Sequence, residues 1–251
     1  MHNKSYKILK VRDKSDAYYT PIDTLFDIPF RILINGKSQL SGKTTIIMNL
    51  LLNPQFGYDK KFDGDNIYII SNNKLDNKLK ILMDKLEVPE ENYMAYDEDM
   101  LGLLYEELEE QFQEEVEEMG KPSNKLIVMD DVGYSGALRN YKKENIIDKL
   151  ICNGRHNNIS QIYTSQKYSQ TSTCLRTNLT GAILFGTNSK ELDMIADDQS
   201  YYEKKNDFIK MFKKHTKKNR DFIVVNYSNP PEELYLDSEF KPIPWMDKLE
   251  N

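Results

Sequence analysis

Gly42, Lys43 and Thr44 stand in a row, closely following an apolar run that stops at Asn35. A turn of this kind between a strand and a helix can bind the phosphates of a nucleotide. Its consecutive backbone N–H groups point inward, its lysine reaches the β and γ phosphates, and its hydroxyl is offered to Mg²⁺. Ser41, Gly42, Lys43, Thr44 and Thr45 are therefore the expected ATP-binding residues. In the strict form of such a loop a glycine lies five positions before the second one; here Lys37 holds that place and Gly36 is one residue earlier. The amides that hold phosphate cluster at Gly42-Lys43-Thr44, so the departure bears on how the loop starts more than on what it does.

Some 85 residues further on, Leu126-Ile127-Val128-Met129 runs directly into Asp130-Asp131. Mg²⁺ on a nucleotide takes few protein ligands, and a carboxylate at the end of a neighbouring buried strand is the usual one. Asp130, with Thr44, is the expected Mg²⁺ ligand, and Asp131 the group that orients and deprotonates the attacking water. A further run, Ile159 to Ser165, ends at Gln166, whose amide is expected at the same sheet edge, there to sense the γ-phosphate or position water. Arg155, Arg176 and Arg139 are candidates for an arginine finger donated by a neighbouring subunit, with Arg155 first. The histidines lack metal-ligand spacing.

These groups need a scaffold. Phe30–Asn35, Asn66–Ile70, Lys125–Asp130, Ile159–Ser165 and Ala182–Gly186 read as short buried strands, and Thr44–Leu52 as the helix after the loop. Asp99–Met119 reads as a helix with Leu101, Leu104, Tyr105, Leu108, Phe112 and Val116 on one face and its acids on the others, the pattern of a solvated outer helix. Strands alternating with helices predict a three-layer α/β fold, a mostly parallel central sheet with helices on both faces. At 251 residues a single domain is expected: an extension over 1–29, a core over 30–228 and a tail over 229–251.

The net charge of -6 is unevenly spread. Asp97 to Glu118 holds 11 acidic residues and no basic one, which leaves +5 on the remainder. Glu203 to Arg220 holds 8 Lys or Arg against 2 acids, fitting either contact with phosphates or an amphipathic helix built on Phe208, Ile209, Met211 and Phe212. Two cysteines, Cys152 and Cys174, make neither a disulfide framework nor a metal pair, and a reducing compartment is expected. No apolar run approaches the roughly 20 residues of a membrane span, and no secretory signal is evident at Met1-His2-Asn3-Lys4-Ser5.

Taken together, Ser41-Gly42-Lys43-Thr44, Val128-Met129-Asp130-Asp131, Gly154-Arg155-His156-Asn157-Asn158-Ile159-Ser160, Ser165-Gln166 and Leu175-Arg176-Thr177-Asn178 resemble the viral DNA-packaging ATPases of the poxvirus type. That group is found in large DNA viruses and virophages, within the FtsK and HerA superfamily of P-loop ATPases. The resemblance covers about 32–186 in the right order. It implies a RecA/FtsK-HerA-like P-loop NTPase fold, ATP with Mg²⁺, and an oligomeric ring that threads double-stranded DNA into a capsid, working in the host cytoplasm at the virus factory or in the virion. Capsid proteins are the implied partners, with no sequence preference on the DNA and no membrane. Two other classes remain open to these residues: a P-loop kinase acting on a small molecule, and a nucleotide-gated switch that does no mechanical work.

Overall fold

The five apolar runs become buried strands, with ends shifted by one residue or none. In a computed structural model of the protein, which describes residues 24–38, 41–72, 77–139 and 145–244, they are β1 (Arg31–Asn35), β2 (Ile67–Ser71), β4 (Lys125–Asp130), β5 (Ile159–Ser165) and β6 (Gly181–Phe185). Three further strands were not expected: the two-residue β3 (Tyr93–Met94), β7 (Phe222–Asn226) and β8 (Tyr235–Leu236). The eight form one sheet in the order β3-β2-β4-β5-β1-β6-β7-β8. Neighbours from β3 to β6 run parallel, while β7 is antiparallel to β6 and β8 to β7. β8 lies within the segment expected as a tail, and the remainder of that tail from Trp245 on, like residues 1–23, lies outside the described residues.

Successive residues of a strand face opposite sides of a sheet. Along β1, Ile32 and Ile34 enter one core and Leu33 the other. Helices α1 (Lys43–Leu52) and α2 (Asn77–Leu86) close the first core with Ile47, Leu50, Leu51, Leu79, Leu82 and Met83, beside Phe26 and Phe30 of the chain before β1. The second core is covered by α3 (Glu98–Met119), α4 (Ile146–Asn153), α5 (Thr173–Thr177), α6 (Ser189–Gln199) and α7 (Lys205–His215). The result is the three-layer α/β fold expected from the sequence, with every parallel strand delivering its carboxyl end to the same edge.

Helix α3 begins where Asp97 caps it, its carboxylate accepting from Asp99 N at 3.0 Å and Met100 N at 2.9 Å. It buries Leu101, Leu104, Tyr105, Leu108 and Phe112, as its spacing requires, and turns most of its acids outward. Glu115 is an exception. Its carboxylate meets the fully buried Lys125 ammonium at 2.8 Å and accepts from Ser123 N and Oγ at 2.8 and 2.6 Å. Burial pushes the Glu115 carboxyl up, but Lys125 and the two Ser123 donors outweigh it and hold it below the usual carboxylate range. The stabilisation is therefore present in full above the unfolded carboxylate pKa near ~4.3 and is lost as pH falls through the lower folded value. Glu115→Ala leaves Lys125 buried without a counter-charge. It is expected to cost roughly 3 kcal/mol at neutral pH, read as a shift of the urea midpoint. An unchanged midpoint would mean that Lys125 reaches water in the variant.

Candidate nucleotide site

At the carboxyl edge the chain leaves β1 and turns into α1 through 36–42. Gly36 is where the loop must start. A Cβ there would stand 2.6 Å from Ser41 Cβ and 2.9 Å from Phe185 Cβ, so the glycine one place early is the position at which the loop folds back on itself. Gly36 N donates to Ser165 O at 2.9 Å, tying the turn to the end of β5, and Ser41 Oγ donates to Lys37 O at 2.7 Å across it. Gly42 sits at φ +87°, a left-handed conformation glycine adopts without strain, immediately before the first helical residue. Gln39 and Leu40 lie outside the described residues.

Lys43 occupies the first turn of α1 and is 9 % exposed. Its Nζ donates to Gly36 O at 2.9 Å, so the side chain curls back over the loop. Burial draws its ammonium below the ordinary lysine range, and the carboxylates of Asp131 and Asp130 oppose that shift. Thr44 is half-buried beside it, and Thr45 is exposed, its hydroxyl accepting from Lys78 Nζ of α2 at 2.9 Å.

The two aspartates do not stand on the strand next to β1. Strand β5 lies between β1 and β4, so that Gln166 is interposed between the phosphate loop and the Asp pair. This packing produces a short chain of hydrogen bonds. Thr164 Oγ1, in β5, donates to Asp130 Oδ1 at 2.8 Å and accepts from Asp131 N at 2.8 Å. Gln166 Nε2 donates to both oxygens of Asp131, at 2.8 and 3.1 Å. Asp131 has φ +57°, a left-handed conformation that turns the chain out of β4 into the turn after it. Thr164 escaped the sequence reading; the signal was a hydroxyl near the end of an otherwise buried strand. Thr44 and Asp130 offer a hydroxyl and a carboxylate, the hard oxygen donors that Mg²⁺ takes, and so fit that ion chemically.

The structure does not bring Arg155 to this group. It precedes β5 at the amino edge, where it is exposed, donates Nε to His156 Nε2 at 3.4 Å, and repels the half-buried Arg31 guanidinium at the start of β1. With 7 residues in β5, about 20 Å of strand separates it from Gln166. Arg176 pairs through Nε with Asp198 at 2.9 Å and lies over the Tyr168 ring. The Arg139 side chain lies outside the described residues.

The basic stretch is an amphipathic helix, α7, with Phe208, Met211 and Phe212 in the core. Lys205 is held by Asp193 and Asp197 of α6 at 2.8 and 2.5 Å, and Lys210 by Asp207 at 3.0 Å. Its far end borders the phosphate loop: a cavity of about 270 Å³ is lined by Lys37 and Ser41 on one side and Lys213, Lys217, Lys218 and Arg220 on another. Among the described residues no helix is long and apolar enough to cross a membrane.

A family model described as "Poxvirus A32 protein" matches residues 21–235. Among solved structures, the chain is similar to the genome packaging NTPase B204 from Sulfolobus turreted icosahedral virus 2 in complex with AMP. That likeness has 15% identity and a TM-score of 0.57, and covers 85% of this chain and 98% of that one. It is likewise similar to B204, the DNA-packaging ATPase from Sulfolobus turreted icosahedral virus, at 18% identity and a TM-score of 0.55, over 88% of this chain and 100% of that one. EssC (ATPases 2 and 3) from Geobacillus thermodenitrificans shares 20% identity over 70% of this chain and 35% of that one, with a TM-score of 0.50. At these identities the likenesses show a common fold. Comparison with curated proteins gave no match.

Proposed function

The chain belongs to the poxvirus A32 protein family, and from that premise we propose that it is an ATPase whose turnover drives double-stranded DNA into a viral capsid. The observation that carries the reading is the meeting of Lys43, Asp130, Asp131 and Gln166 at one sheet edge. A phosphate-binding lysine beside a carboxylate held in a fixed direction is the equipment for attack by water on a γ-phosphate. The similarity to B204, described as a genome packaging NTPase and as a DNA-packaging ATPase, supports the same reading.

In this mechanism Lys43 and the amides at the start of α1, with Ser41, Gly42 and Thr45 around them, hold the β and γ phosphates. Thr44 and Asp130 would hold Mg²⁺, which when bound neutralises phosphate charge. Asp131 directs the attacking water and takes its proton, while Gln166 fixes the direction of that carboxylate. The water oxygen bonds to the γ-phosphorus as the bond to the β-phosphate bridging oxygen breaks, leaving ADP and phosphate. The cavity bordered by Lys37 and Arg220 extends this site beyond the phosphates. Lysines of 204–218 that do not border it remain for sequence-independent contact with the DNA backbone. Arg155, far from the site of its own chain, serves the neighbouring subunit of a homo-oligomeric ring. The whole chain 1–251 works as one domain, with capsid proteins as partners, in the host cytoplasm at the virus factory or in the virion.

Asp131→Asn is expected to bind ATP normally and turn it over about 10²-fold more slowly, the scale of lost general-base assistance. Phosphate release and equilibrium binding of a fluorescent ATP analogue measure the two halves. If Asp130→Asn gave that split and Asp131→Asn did not, the two roles are reversed. The function itself is tested by ATP turnover with and without linear duplex DNA. Stimulation that fades with rising salt is expected. Turnover indifferent to DNA, with phosphate passed to a small acceptor, would make the protein a kinase instead.

A further inference from the structure

The two cysteines of the chain, far apart in sequence, are brought together by the fold. Cys152 lies near the end of α4 and Cys174 in α5, and their sulfurs are 3.5 Å apart. Both are free thiols and both are partly exposed. A disulfide requires about 2.05 Å, so the two sulfurs must approach by roughly 1.5 Å. We propose that Cys152 and Cys174 are a reversible oxidation site, closing to an intramolecular disulfide that slows the ATPase.

The chemistry needs an oxidant of the peroxide class. The Cys152 sulfur attacks one peroxide oxygen, the O–O bond breaks, and the products are a sulfenic acid at Cys152 and water. The Cys174 sulfur then attacks the Cys152 sulfur, an S–S bond forms, and the sulfenic oxygen leaves as a second water with the Cys174 proton. Two thiols are oxidised and one peroxide is reduced. Burial, the hydrogen bond with Cys152 and the nearby Asp148 push the Cys174 thiol up to about 12, which favours Cys152 as the sulfur that meets the oxidant. Proximity then favours Cys174 as the second partner over any external thiol.

What the bond would fasten follows from the elements on each side. Helix α4 ends at Asn153 and passes at once into Gly154-Arg155. Helix α5 is anchored to α6 through Arg176 and Asp198. Joining them ties the Arg155 turn to a fixed part of the molecule. Slowed turnover rests on the proposed role of Arg155 in a neighbouring subunit, which requires that turn to adjust; formation of the bond does not.

Full-length protein treated with hydrogen peroxide is expected to lose two thiols per chain and to run as a faster monomer on a non-reducing gel. It should yield a Cys152–Cys174 linked peptide by mass spectrometry. Turnover is expected to fall roughly fivefold, the scale of a gating step made limiting, and to return with dithiothreitol. Cys152→Ser and Cys174→Ser should each keep the starting turnover and lose the response. Thiols that survive treatment, or links formed only between chains, overturn the site. A linked chain with unchanged turnover overturns the switch. No turnover in untreated protein would count against the proposed function, whereas the link is read by mass and thiol count alone.

Discussion

Lys43→Ala should abolish ATP turnover and weaken ATP binding by roughly 10²-fold or more, because a charge-assisted contact to two phosphates is removed from a partly dry site. Among the described residues Lys43 is the one lysine in the first turn of α1; Lys37 belongs to the start of the loop, Lys78 is engaged with Thr45, and the cations of 213–220 border the loop from the other wall of the cavity. The effect reaches the carboxylates as well. Asp131 and Asp130 both act on the Lys43 ammonium, and without it the two are left facing phosphate charge with less compensation. Lys43 contributes little apolar core, so the variant should unfold within a few degrees of the parent protein, and a binding titration beside a melting curve separates lost affinity from lost fold. Hydrolysis at the parent rate would end the assignment of this loop to ATP.

Arg155→Ala is the second large effect, and it tests the assembly together with the residue. An arginine supplied to a neighbour's site adds ~10³ or more to turnover while leaving its own phosphate loop alone. The variant should therefore bind ATP almost as the parent does and hydrolyse it about 10³-fold more slowly. The position of Arg155 sharpens the test: the length of β5 lies between it and Gln166 of its own chain, so lost hydrolysis with fold and ATP binding intact would point to the site of another subunit. Mixing the slow Arg155→Ala with the inactive Lys43→Ala should restore part of the activity once co-assembly is shown by size, since an intact loop then faces an intact arginine. Co-assembled mixtures that stay inactive remove Arg155 from this role; if Arg176→Ala then complements Lys43→Ala, the finger is Arg176, which would have to leave Asp198 to serve, and if neither complements there is no finger supplied in trans.

Residues close in sequence named most of the candidate site. A glycine, a lysine and a hydroxyl in a row before a helix suit a phosphate, and an apolar strand that stops at two aspartates, a turn signal on its own, suits Mg²⁺ and water once it follows such a loop. The same local logic located β1, β4, β5 and α3, because each carries enough apolar residues at one period to be buried on its own account. It reached neither β3, two residues long, nor β8, equally short, since such strands exist only through the neighbour they pair with. Strand β7 is different: Phe222-Ile223-Val224-Val225 is an apolar run like the others and was open to the same reading.

Only the tertiary structure decided the order of the strands. That β5 passes between β1 and β4 depends on crossovers between distant segments. This order sets Gln166 against both oxygens of Asp131 and makes Thr164 the link between Asp130 and the Asp131 amide. It also turns the end of the basic stretch toward the phosphate loop and sets Cys174 beside Cys152. The sequence alone determined which chemical groups the site would contain, because those depend on residue type and local spacing. Their mutual distances depend on which buried faces pack together, a property of the whole sheet and its two cores that no single segment carries.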